Sequence, residues 1–244
     1  MVACALTCKA WYHRSWFYLL GDLHIRDRSE VLLLHRRLRT EPRLGNVAKF
    51  ATFTGSKNAD ARQRLLHLQT FAIMLARHLY KLETITVRDA HWPCGAVRAD
   101  YLRYLGAFAS LVSLCISGVV FASVSQLAGL ISAVPALTHL RCDNLHCEQT
   151  APSPPAPLNA PGIRTLALFG NLAAPVLEFM ARLRQGAQLE MLDIATSSDL
   201  WAGPDSTLYD LLKARATPLQ RLRLSISAVH TQWLGQVGKC KPPR

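Results

Sequence analysis

Four side chains in one short stretch, His139, Cys142, His146 and Cys147, have the donor chemistry of a zinc site. A tetrahedral site needs its ligands to converge. In an extended segment His139 and Cys142 have opposite parity and point to opposite faces, so they do not share a metal. Asp89, His91 and Cys94 supply the residue types of a nucleophile set. No oxyanion-forming loop or Gly-x-Ser-x-Gly elbow accompanies them, and they read as surface loop residues. Cys4 and Cys8 lie four apart, one helical turn, as packing residues of a helix do. The run Gly235 to Lys239 has neither the spacing nor the Ser/Thr of a phosphate loop. No catalytic residue, cofactor or metal ligand is therefore assigned, and the chain is not expected to be an enzyme.

The elements that would carry a non-catalytic role come next. The chain has 244 residues, 50% hydrophobic and 18% charged, with a net charge of +12. That much apolar surface buries a sizeable core and excludes disorder over most of the length. Seven cysteines, an odd number, with no secretory signal, fit a reduced intracellular protein, cytoplasmic or nuclear. Arginines cluster at 36, 37 and 39, at 182 and 184, and at 221 and 223, without interleaved aromatics. No specific nucleic-acid binding is expected from them. Leu105 to Thr138 is a window of 34 positions without a charged residue. A membrane span there is an alternative reading, which six serines, three glycines and Pro135 oppose.

A repeat runs through the same window: apolar, two variable, apolar, one variable, apolar. It occurs as Leu82/Ile85/Val87, Leu111/Leu114/Ile116, Leu137/Leu140/Cys142, Ile163/Leu166/Leu168, Leu189/Leu192/Ile194 and Leu219/Leu222/Leu224. A weaker copy is Val47/Phe50/Thr52. The copies start at 47, 82, 111, 137, 163, 189 and 219, so the steps are 35, 29, 26, 26, 26 and 30. Segments with helical spacing fall between them, at 60–79, 98–110, 121–134, 172–186 and 206–216. Five prolines between His146 and Gly162 replace one helix with a loop, at 150–162.

This pattern resembles the leucine-rich repeats, over roughly residues 44 to 228. Asn144 and Asn171 fall near the family's asparagine position. The resemblance implies an α/β solenoid, a curved parallel sheet with helices on its outer face. The first residues, Ala3-Cys4-Ala5-Leu6-Thr7-Cys8-Lys9-Ala10-Trp11, are similar to the C-terminal helix of an F-box. The segment Phe17 to Asp27, with Leu23-His24-Ile25, resembles the strand leading into the repeat domain of fungal F-box proteins. Three regions follow: 1–20, a remnant of the F-box helix; 21–230, the solenoid; and 231–244, a basic tail. The family resemblance implies the substrate-recognition part of a cullin-based (SCF) ubiquitin ligase. Docking on the Skp1 adaptor is expected of a full-length form only, because the Leu-Pro-x-Glu segment that docks does not precede Ala3. A stand-alone repeat binding protein is the alternative.

Alternation along each copy defines a concave face that would hold a protein target. Its residues are Thr86, Arg88, His139, Arg141, Asp143, Phe169, Met191, Asp193, Arg221 and Arg223. Phe169 and Met191 are expected to be neighbours and form the apolar anchor, with Arg141 and Arg223 as charged flankers.

Overall fold

The computed structural model describes residues 20–55, 65–92, 102–149, 162–186, 189–197 and 219–227. The F-box-like run at 1–19, the prolines of 150–161, the segment 206–216 and the basic tail lie outside these residues.

Eight strands form one parallel sheet in strict chain order. They are β1 (Asp22–Ile25), β2 (Phe50–Thr54), β3 (Thr84–Arg88), β5 (Ser113–Ser117), β7 (His139–Asp143), β9 (Thr165–Gly170), β10 (Met191–Ser197) and β11 (Arg221–Ser227). Two-residue strands β4 (His91–Trp92), β6 (Val120–Phe121) and β8 (His146–Cys147) form a second parallel sheet. Helices α1 (Arg28–Thr40), α2 (Leu66–Leu75), α3 (Val124–Ser132) and α4 (Ala174–Gly186) belong to the crossovers. The apolar residues of every motif from β1 to β10 are buried, in one cluster with the apolar sides of the four helices. The helices thus cover one face of the sheet, and the opposite face is left open.

Backbone bonds clamp the starts of the strands from β3 to β11 and the far ends of the central ones. At the start, one carbonyl accepts two consecutive N–H groups of the next strand. The carbonyl of Lys49 takes Glu83 and Thr84, that of Glu83 takes Val112 and Ser113, and those of Val112, Thr138, Arg164 and Glu190 continue the series. At the far end, the N–H of the residue after one strand bonds a carbonyl at the end of the next. Asp89 bonds Ser117, Gly118 bonds Asp143 and Asn144 bonds Phe169, at 2.8–3.1 Å.

That far end is also where the chain turns a corner toward the second sheet. Asp89, Gly118, Asn144 and Gly170 all have positive φ there, from 48° to 68°, a region that glycine, asparagine and aspartate tolerate best. The larger and smaller residues alternate for a steric reason. A Cβ at Gly118 would lie 2.9 Å from Asp89 Oδ1, and one at Gly170 would collide with the Asn144 side chain. Asn144 Oδ1 in turn accepts the Asn171 N–H at 2.8 Å. Beyond the corner, Trp92 and Phe121 stack with centroids 5.6 Å apart, fully buried.

The structure revises several expectations. The first repeat is Leu20/Leu23/Ile25, which matches the pattern in full; β1 pairs with β2 through Leu23–Ala51 and Ile25–Phe53. The weak copy at Val47 is out of frame by one. Its buried residues are Ala48, Ala51 and Phe53, and Phe50 points outward, 46% exposed. Two alanines at inward positions disguised it. Helix α1 lies outside the segments of helical spacing and begins at the start signal Asp27-Arg-Ser-Glu30. Asp27 Oδ1 accepts the Glu30 N–H at 3.0 Å, and Glu30 Oε2 accepts the Arg26 N–H at 2.7 Å. The helical spacing at 98–110 gives, within its described part, a 3-10 turn, Arg103–Ala107.

The membrane alternative is overturned. Residues 105–138 hold β5, β6 and the nine-residue α3, and among the described residues no helix is long and apolar enough to cross a membrane. At the last strand the inward Leu222 and Leu224 are 48% and 44% exposed, so the burial rule does not extend to β11.

Two predictions follow from this packing. Substituting Gly170→Ala puts a side chain into a left-handed corner occupied by Asn144, and should cost about 1–3 kcal/mol in urea denaturation. Gly21→Ala, where a Cβ meets nothing, should cost far less. Buried His67 stacks on Phe53, and its Nε2 has no hydrogen-bond partner among the described residues. Burial holds its pKa below the ordinary value, with Asp27 and Glu30 offsetting part of the effect. The unfolded chain therefore takes up a proton below about pH 6.5 that the native state refuses. Stability should fall as pH drops from 7 toward 5, and His67→Phe should reduce that fall and add about 1 kcal/mol at pH 7. An unchanged pH slope in the variant would remove His67 as its source.

Candidate functional site

The open face consists of the outward residues of the eight strands, set side by side by the clamped register. From β3 to β9 three rows cross it. Thr84, Ser113, His139 and Thr165 form the first; Thr86, Cys115, Arg141 and Ala167 the second; Arg88, Ser117, Asp143 and Phe169 the third. Small and hydroxylic side chains fill the middle, and Arg88, His139 and Arg141 are exposed. Comparison with known protein families and with curated proteins finds no match to this chain.

One group assembles around β5 and β7. The Arg141 guanidinium carbon sits 4.3 Å from the centroid of the half-buried Phe169 ring, a cation–π contact that orients both side chains. Asp143 accepts from Ser117 Oγ at 3.3 Å and from Asn144 Nδ2 at 2.9 Å, two neutral donors. Cys115 lies between Thr86 and Arg141 in register. Burial pushes its thiol pKa up, and the nearby Arg141 and Arg88 guanidiniums pull the other way. His139 is engaged locally, its Nδ1 2.7 Å from Thr138 Oγ1.

A second group lies on β10 and β11. Met191 is half-buried beside Arg221, and Arg221 and Arg223 are exposed. Asp193 departs from the expected exposed position. It is buried at 9% exposure, its carboxylate 3.9 Å from Arg223. The expected apolar anchor also fails as a pair. Phe169 is in register with Ala195, and Met191 with Thr165. Four residues, roughly 13 Å of strand, separate Phe169 from Met191.

Two features of the face escaped the motif reading. Phe50 stands exposed beside Thr84, hidden by the frame slip in its repeat. A row of charges precedes the strands and pairs between neighbours, Lys49 with Glu83 at 3.1 Å and Arg164 with Glu190 at 3.7 Å. Their place one residue before β2, β3, β9 and β10 was the available signal.

The other chemistry-bearing residues are dispersed. Cys142 is buried while His139 is exposed across the sheet. Asp89 serves the corner, and His91 Nε2 is hydrogen-bonded to Glu148 Oε1 at 2.7 Å. Cys94 lies outside the described residues. Burial raises the Cys142 thiol far above the ordinary range. Peptide mapping after brief iodoacetamide treatment at pH 8 should find Cys142 untouched until the chain unfolds, with half-buried Cys115 modified slowly. Equal labelling of the two would show that the inward side of β7 is open.

Proposed function

We propose that this chain is a leucine-rich-repeat-like protein-recognition module, whose open sheet face is a concave surface for a protein target. In this reading the chain resembles the substrate-recognition part of an F-box receptor and performs no chemistry of its own. What carries it is the division of labour across the sheet. From β1 to β10 one face is apolar and buried against the helices. The other presents three aligned rows of small, polar and cationic side chains to solvent, with Phe169 and Phe50 among them. A surface that contributes nothing to the core, yet is held in fixed register, is suited to recognition.

The F-box half rests on the sequence at Ala3 to Trp11, and an intracellular setting, cytoplasmic or nuclear, goes with it. The Skp1 adaptor would be the second partner of a form carrying the docking segment. A stand-alone repeat binding protein keeps the same face and drops the adaptor.

Placing a bulky residue in the middle row tests the face itself. Ala167→Trp should abolish capture of the protein's cellular target while leaving thermal stability nearly unchanged. Capture undiminished by this variant, or by Thr86→Trp, places recognition elsewhere. Skp1 retained by a form extended upstream of Met1 supports the receptor reading. Target capture without Skp1 in any form supports the stand-alone one.

A further inference from the structure

We propose that the open face binds an acidic protein segment, whose carboxylates are taken by Arg88 and Arg141 on either side of Cys115. This rests on the protein-recognition reading above and names the class of partner.

Charge accounting on the face leads to it. The row preceding the strands neutralises itself through Lys49–Glu83 and Arg164–Glu190, and Arg223 has Asp193. Asp143 is satisfied by Ser117 and Asn144. Among the described residues, Arg88 and Arg141 have no carboxylate partner, and both are exposed. They sit two strands apart and two residues out of level, about 10 Å across and 7 Å along. The intervening strand carries only Ser113, Cys115 and Ser117 outward, so a shallow strip of small side chains separates two cations. Both guanidiniums are near enough to Cys115 to act on its thiol. Arg141 is held against the Phe169 ring, and its planar fork suits bidentate binding of a carboxylate. The same ring offers a bound segment an apolar contact beside its charge.

The face does not suit a nucleic acid. A phosphate backbone presents a negative charge at every nucleotide, whereas Asp143 and Asp193 stand among the arginines of this surface. Separate carboxylates on a peptide can meet Arg88 and Arg141 and avoid both aspartates.

Short random peptides displayed on phage, selected on the full chain, provide the test. Selected peptides should be rich in Asp and Glu, and Arg88→Gln or Arg141→Gln should each weaken them by about tenfold or more. Arg164→Gln removes the same charge from a paired position and should change binding less than twofold. Selected peptides that are neutral or basic, or a loss from Arg164→Gln equal to that from Arg141→Gln, overturn the acidic-segment proposal while leaving the face as a binding surface. Preferential retention of single-stranded RNA through Arg88 and Arg141 also overturns it. Peptides indifferent to Ala167→Trp overturn the recognition reading itself, and the proposal with it.

Discussion

Parallel strands lack the tight hairpin turn that fixes register in an antiparallel pair, so a sheet made only of parallel crossovers must hold its alignment some other way. Here a single carbonyl receives two N–H groups at the start of each successive strand from β3 to β11, and a corner residue bonds the next strand at the far end of β3, β5 and β7. Everything else depends on that alignment. A slip of one residue would carry Thr84, Thr86 and Arg88 into the core and expel Ile85 and Val87. Because the clamps use backbone atoms, they leave the outward side chains without structural duties.

The same clamps explain why the crossovers can vary. The motif starts, with the two N-terminal copies corrected, are 20, 48, 82, 111, 137, 163, 189 and 219, giving steps of 28, 34, 29, 26, 26, 26 and 30. Units of different length fall between the strands, and the sheet keeps its register regardless. β7 and β9 pair without a break although the proline-rich stretch lies between them in sequence. The corner imposes the tighter rule. With Asp89 and Asn144 each leaning over the next corner, Gly118 and Gly170 are the only size that fits.

Six repeats were legible because leucine, isoleucine and valine recur at inward positions, and parity then placed nine of the ten expected face residues on the outward side with at least partial exposure. Parity says nothing about depth, which is why Asp193 was misjudged: flanked on β9 and β11, it is covered by its neighbours. Nor does parity say which outward residues meet across strands. That depends on register, and register is set by backbone bonds invisible in side-chain identity, so Phe169 and Met191 are not the neighbours that parity suggests. The N-terminal copies were obscured in different ways. Ala48 and Ala51 are small enough to look like loop residues, while Leu20/Leu23/Ile25 fits the pattern outright and was overshadowed by the sequence around it.

The charge-poor stretch from Leu105 to Thr138, which taken alone suggests a membrane span, has a plainer cause in the position of β5. Its inward Leu114 and Ile116 are fully enclosed, α3 buries Leu127, Leu130 and Ile131 behind it, and neighbours flank it on both sides. A charge on its inward side would be desolvated without a partner. Its outward side is the floor between Arg88 and Arg141, and carries only Ser113, Cys115 and Ser117. Charge is therefore excluded from the centre for one reason on the buried face and displaced to the flanks for another on the open face. A strand of this composition separates the two faces at the middle of the sheet, between Arg88 and Arg141.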